Sequence, residues 1–233
     1  MDVNYLSARL ADACYLFLAI NFFWGLYHVI MGFRRVKRFS FRTRQLQAEF
    51  LDQVMPLIET GKYQEAEQLC EDDERALPQL AHMAILNRGL GFEPMRQSVA
   101  EVLQRDVLGE LEYRTSWIAT VIKSGPLLGL FGTVLGMMAA FGRIGSGEQV
   151  TPKTIAAEIS VALVCTAMGL ATAIPFNFFL SSMNVRIRKL QDSLGAGMVR
   201  ILDLFKKRER SSPVPEFARA RAAAGLATSA TEG

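Results

Sequence analysis

Residues that usually carry chemistry are scarce in this chain. Its 233 residues include two histidines, His28 and His82, and three cysteines, Cys14, Cys70 and Cys165. Neither histidine has a cysteine or aspartate neighbour at a metal-ligand spacing. The cysteines lie far apart along the chain, in stretches read below as membrane or cytoplasmic. That favours free thiols over disulfides or a metal centre. No phosphate-binding loop is present either: "GLFGTVLG" has the glycines but lacks the lysine that would reach a phosphate. No catalytic residue, cofactor or metal is therefore expected. The net charge of +3 does not call for a nucleic-acid partner, because the basic excess is local.

Charge is missing in a more informative way. Ala13 to Phe33 is 21 residues without a charge, Ser124 to Gly142 is 19, and Ile159 to Val185 is 27. A bilayer core needs about 20 apolar residues of helix, so three transmembrane helices are expected. The first run lacks the marks of a cleaved leader. Asp2, Arg9 and Asp12 precede it in place of a basic region, and no small-x-small cleavage site follows.

Basic residues mark the ends. Arg34, Arg35, Lys37, Arg38, Arg42 and Arg44 follow the first run, and Arg186, Arg188 and Lys189 follow the third. The positive-inside rule places both ends in the cytoplasm, where anionic headgroups attract them. The expected order is an outer N-terminus (1–11), a first span (12–33), a cytoplasmic helical domain (34–117) and a second span (118–142). An outer loop (143–153), a third span (154–181), a cytoplasmic helical extension (182–210) and a disordered tail (211–233) complete it. The fold class is all-α, an integral membrane protein with two spans extended into a cytoplasmic helical domain.

Within 34–117, residues 42–60 read as an amphipathic helix stopped by Gly61. Tyr63, Ala66, Leu69 and Cys70 recur at helical spacing. The acidic run Glu71, Asp72, Asp73, Glu74 reads as a solvated helix end or loop. Pro78 and the Gly89–Gly91 pair read as punctuation. From Met95 to Lys123 the pattern is helical, with no breaker before Gly125–Pro126, so one long helix should enter the second span, with a bend near Pro126. Ile187, Leu190, Leu194, Met198, Ile201 and Phe205 continue the third span in the same way.

The two inner spans carry matching faces. At 100° per residue, Gly125, Gly129, Gly132 and Gly136 fall within about 60° of one another, with Thr133 about 60° from Gly136. On the third span Glu158, Ala162, Thr166, Gly169 and Ala173 fall within about 80°. Small residues let helix backbones approach closely in lipid. Two readings stand open on these residues. One is plain packing, with the hydroxyls bonded to their own helix. The other is a polar pathway with Glu158 at its outer mouth.

"GPLLGLFGTVLGM" (125–137) and "ISVALVCTAMGLATAIPFNFF" (159–179) resemble the two motif blocks of the MotA/TolQ/ExbB proton-channel family, most closely its TolQ/ExbB branch. The resemblance implies a homopentamer around a dimer of a single-span ExbD- or TolR-like partner, whose aspartate takes up protons. It implies that Thr133 and Thr166 line the proton route and that Pro126 and Pro175 are the family prolines. It also implies the inner membrane of a two-membrane bacterium, and work on an envelope process such as energised outer-membrane import or envelope maintenance. One departure stands out. Many relatives carry a glutamate where this chain has Val161. Glu158, three residues earlier, shares that side of the helix and is either a partial replacement or an outer-mouth or subunit-contact charge. A non-conducting scaffold that anchors an envelope assembly is the alternative function.

Overall fold

A computed structural model describes residues 3–71, 73–146 and 151–211. Seven α-helices account for most of them: α1 (Val3–Phe39), α2 (Arg44–Thr60), α3 (Tyr63–Glu71), α4 (Ala76–Leu86), α5 (Phe92–Val102), α6 (Gly109–Gly145) and α7 (Pro152–Ser211). A 3₁₀ turn (Asn87–Leu90) precedes α5, and a π turn (Leu103–Leu108) separates α5 from α6. No strand occurs among the described residues. Three helical stretches, Ala13–Phe39, Phe92–Gly145 and Pro152–Arg208, are long and apolar enough to cross a membrane. They contain the three uncharged runs. Met1, Asp2, Asp72, four residues (147–150) of the expected outer loop and the tail beyond Ser211 lie outside the described residues.

The chain forms two compact units. The first comprises α1 to Ser40, together with residues 104–192. Its helices pack through small residues and aromatics. A Cβ on Gly25 would stand 2.7 Å from Val121 Cγ1 and 3.0 Å from the Phe176 ring, so α1 fits here only without a side chain. Buried Ile118, Val121, Phe176 and Met183 fill this unit. A smaller cluster joins Cys14 and Leu18 of α1 to Leu135 and Cys165. All three cysteines are free, although Cys14 and Cys165, distant in sequence, share this cluster. His28 is buried in an aromatic nest, stacked on Trp117 at 5.8 Å and with Trp24 at 5.2 Å.

The second unit comprises residues 41–103 and the chain from Ser193 on. Its core is Val54, Ile58, Ala66, Leu77, Leu80, Ile85, Met95 and Ile201, all almost fully buried. Gly61 ends α2 in the left-handed region at φ 82°, where glycine carries no Cβ penalty. Arg208 of α7 donates from Nη1 to the Ile58 carbonyl at 2.8 Å, a second donor to an acceptor that the Gly61 N–H also reaches at 3.2 Å. At the other end of α2, Gln47 Nε2 donates to the Ser193 carbonyl at 2.9 Å. The acidic run is a helix end and loop at its described positions, with Glu71 closing α3 and Asp73 accepting from the Arg75 backbone N–H at 2.9 Å.

One local expectation needs correction and one gains detail. Pro78 does not punctuate: it sits in the first turn of α4, where a missing N–H has no intrahelical acceptor to lose. The long helix toward the second span is not α-helical throughout, because the π turn widens it at Leu103–Leu108. A π turn needs neither glycine nor proline, so no helix breaker marks it.

Candidate functional site

The site lies in the first unit, on the seam between α6 and α7. Glycines set the distance between the two backbones. A Cβ on Gly129 would stand 2.9 Å from the Cys165 carbonyl oxygen and 2.9 Å from Thr166 Cα. One on Gly136 would meet Ala162 Cβ at 2.7 Å, and one on Gly169 would meet the Gly125 carbonyl oxygen at 2.5 Å. Gly132 faces Cys165 and, on α1, Cys14. The structure thus brings together Gly125, Gly129, Gly136, Ala162 and Gly169 at contacts that no larger residue could make. Pro126 and Pro175 lie inside α6 and α7.

That approach puts two hydroxyls against each other. Thr133 Oγ1 and Thr166 Oγ1 form a short hydrogen bond in which either can be the donor. Thr133 also lies 3.0 Å from its own-helix acceptor, the Gly129 carbonyl, and 3.4 Å from the Ala162 carbonyl across the seam. Thr166 reaches the same Gly129 carbonyl at 3.0 Å. Two hydroxyl protons are therefore shared among more acceptors than they can serve at once. Each hydroxyl is both donor and acceptor, so the direction of the bond between them can reverse without moving a heavy atom. Thr133 also lines an open recess of about 540 Å³ with Val134, Met137, Met138, Phe141 and Gly142. The hydroxyl pair is thus at the edge of a cavity with apolar walls.

Glu158 is not at the hydroxyl pair. It is half-buried and ion-paired with Arg143 of α6, so its Oε1 already has a cation. Its Oε2 is buried without a hydrogen-bond partner. Val161 is 57% exposed, and its carbonyl accepts a hydrogen bond from Tyr15 of α1 at 2.7 Å. No side chain on that stretch supplies a carboxylate in its place.

Sequence reasoning missed three contributors. Arg143 was read only as part of a loop, although its charge ends the uncharged run. Tyr15 was hidden in the first span. Asn21, also in that span, donates from Nδ2 to Ser124 Oγ at 2.6 Å, and its Oδ1 is buried without a partner. A lone amide in an uncharged run was the available signal, since a polar group in lipid needs a partner.

Similarity to known proteins covers the same region. The MotA/TolQ/ExbB proton channel family matches residues 74–195, just over half of the chain. The chain is 38% identical over 85 residues to the Tol-Pal system protein TolQ of Haemophilus influenzae, covering 36% of this chain and 37% of that protein. It is 33% identical over 118 residues to the biopolymer transport protein ExbB of Neisseria gonorrhoeae, covering 51% of each. It is 40% identical over 85 residues to the ExbB of Aquifex aeolicus, covering 36% of this chain and 55% of that protein. The matched stretch thus spans about half or less of each relative's length. With the family match over the α6–α7 seam and the membrane-length helices that carry it, the chain belongs to the MotA/TolQ/ExbB proton channel family.

Proposed function

We propose that this chain is the channel-forming stator subunit of an ExbB/TolQ-like motor. It sits in the inner membrane of a two-membrane bacterium, with its N-terminus outside and the 34–117 domain in the cytoplasm. The motor couples the proton-motive force to an envelope process, such as energised outer-membrane import or envelope maintenance. The chain acts as a homo-oligomer, a pentamer, around a dimer of a single-span partner that brings the proton-carrying aspartate. Protons pass that aspartate beside Thr133 and Thr166. Its alternate protonation removes and restores a buried charge, and the cost of holding that charge in a dry interior drives the partner to move.

The observation that carries this reading is the hydroxyl pair, bonded across the seam and able to reverse its direction. Glu158, tied to Arg143, is assigned to the outer mouth of the route. The non-conducting scaffold is favoured by one feature, the exposed Val161.

The test is proton flux into vesicles containing the chain and a single-span partner of the ExbD or TolR type. Thr133→Val and Thr166→Val keep the shape and remove the hydroxyls. Each is expected to abolish flux at unchanged protein level. Flux that persists in both variants refutes the hydroxyl route, and absence of flux in the parent complex favours the scaffold. Glu158→Gln is expected to lower the rate without shifting its pH midpoint, and a shifted midpoint would put Glu158 on the route itself.

A further inference from the structure

A second site lies in the same unit, at the end of the first apolar run. α1 and α6 enclose an open recess of about 610 Å³ there. Arg34, Arg35, Lys37 and Arg38 of α1 line it, with Glu110 and Arg114 of α6 and Met31 at the apolar edge. Five cations therefore face one carboxylate.

That carboxylate is already fully engaged. Arg35 Nε donates to Glu110 Oε2 at 2.6 Å, and Arg114 Nη2 donates to Glu110 Oε1 at 2.9 Å. One negative charge thus serves two guanidiniums. The Arg114 side chain is only 16% exposed, and its Nε–H is buried with no acceptor. A buried charged donor without a partner is costly. An oxyanion in the recess would balance the excess charge of the cations that line it, and guanidinium forks suit phosphate oxygens in particular.

The surroundings indicate what carries the anion. On the wheel of α1, Phe23, Tyr27 and Ile30 fall within about 100° of Arg34, Lys37 and Arg38. Phe23, Tyr27 and Ile30 are exposed apolar or aromatic residues of the uncharged run. An anionic group in the recess would continue directly into an apolar strip one to three turns long. A soluble anion has no use for that strip, whereas acyl chains do.

We propose that this recess binds the headgroup phosphate of an anionic phospholipid, with the acyl chains lying along Phe23, Tyr27 and Ile30. The inference rests on membrane insertion and is independent of proton conduction. Basic residues near an anionic surface each contribute about 1 kcal/mol, or roughly five-fold in affinity. A local preference for anionic over zwitterionic lipid of at least about five-fold follows.

The chain reports on this site with its own fluorescence. Its only two tryptophans, Trp24 and Trp117, pack against each other at 5.7 Å, one on each of the two helices. Trp117 is one turn from Arg114. The full chain in phosphatidylcholine vesicles is titrated with phosphatidylglycerol or phosphatidylcholine carrying brominated chains, and tryptophan quenching is read. The anionic lipid is expected to quench at several-fold lower mole fraction. Arg114→Gln is expected to reduce that preference about five-fold, and Arg34→Gln combined with Lys37→Gln to abolish it, while Glu110→Gln, which returns two guanidiniums to the recess, raises it. If Arg114→Gln does not fold, the Arg34/Lys37 pair decides. Equal quenching by both lipids, or a preference that survives the neutralised pair, overturns the proposal. So does loss of the preference in millimolar inorganic phosphate against salt-matched chloride, which would mark a soluble-anion site. A change in oligomer size with unchanged lipid preference also overturns it, marking a contact between copies.

Discussion

Gly129→Ala tests the seam most directly, because it adds one methyl group and removes no polar atom. The new Cβ would stand 2.9 Å from two backbone atoms of α7, whereas ordinary contact begins near 3.4 Å. Neither backbone atom can rotate away, so the helices must part by about 0.5 Å. The hydrogen bond from Thr166 Oγ1 to the Gly129 carbonyl, 3.0 Å in the parent, would lengthen to about 3.5 Å, the edge of a useful bond. Overpacking costs about 1–3 kcal/mol and the weakened hydrogen bond about 1 kcal/mol. Alanine's better helix propensity returns about 1 kcal/mol. The net is a loss of about 2 kcal/mol. Gly145, at the end of the same helix, meets nothing within 4 Å, so Gly145→Ala should change stability by less than about 0.5 kcal/mol. Reversible unfolding in mixed detergent micelles, followed by far-UV circular dichroism, measures both. Equal stability of the two variants would refute the close backbone approach, and with it the geometry that brings Thr133 to Thr166.

Three further outcomes are expected outside the uncharged runs. Burial opposes ionisation of Glu110, but hydrogen bonds from Arg114 and Arg35 outweigh it and hold the carboxyl below its ordinary value. Its contribution to folding is therefore complete above the unfolded carboxylate pKa and is lost as pH falls through the depressed folded value; the acid limb of the stability profile should flatten in Glu110→Gln. Burial, with Asp73 adding, pushes the Cys70 thiol up to about 12, so maleimide at mildly alkaline pH should label it only after unfolding, and rapid labelling of the folded chain would contradict the packing. Arg208→Ala should cost about 0.5–1 kcal/mol in thermal unfolding, because it removes a side-chain donor from the Ile58 carbonyl and leaves the Gly61 N–H as its partner.

The fold was legible where periodicity and charge spoke with one voice. Ile187, Leu190, Leu194, Met198, Ile201 and Phe205, spaced by three and four, are all buried in the structure, because a stripe at that spacing can face only one side of a helix. Gly61 ended α2 where a residue free to take positive φ was needed. Leu69, read as part of the α3 stripe, is instead 39% exposed; four residues are too few for a face to be fixed by spacing alone. The glycine stripe was legible for the same reason as the long helices. What it does was not, because the bond between Thr133 and Thr166, 33 residues apart in sequence, depends on the register of two helices. Periodicity places a residue on a face and says nothing of its height against a neighbour. Arg143 was missed on similar grounds: a charge at the end of a span looks like a loop residue until the next helix supplies Glu158.

The distribution of charge along the first unit bears on where the moving proton must reside. Between Lys123 and Arg143 on α6, and between Glu158 and Arg186 on α7, there is no aspartate, glutamate, lysine or arginine. The bounding charges near the loop are committed to each other through the Arg143–Glu158 pair. Thr133 and Thr166 can pass a proton along a hydrogen bond, but a threonine hydroxyl cannot store one at physiological pH. A route through this seam therefore needs a titratable group from outside the seam, close enough to bond one of the two hydroxyls. The recess beside Thr133, walled by Val134, Met137, Met138 and Phe141, offers such a group space, and its apolar lining would favour the protonated, neutral form of a carboxylate entering it. This is the property a carrier must have if it is to take up a proton before crossing and give it up on reaching water.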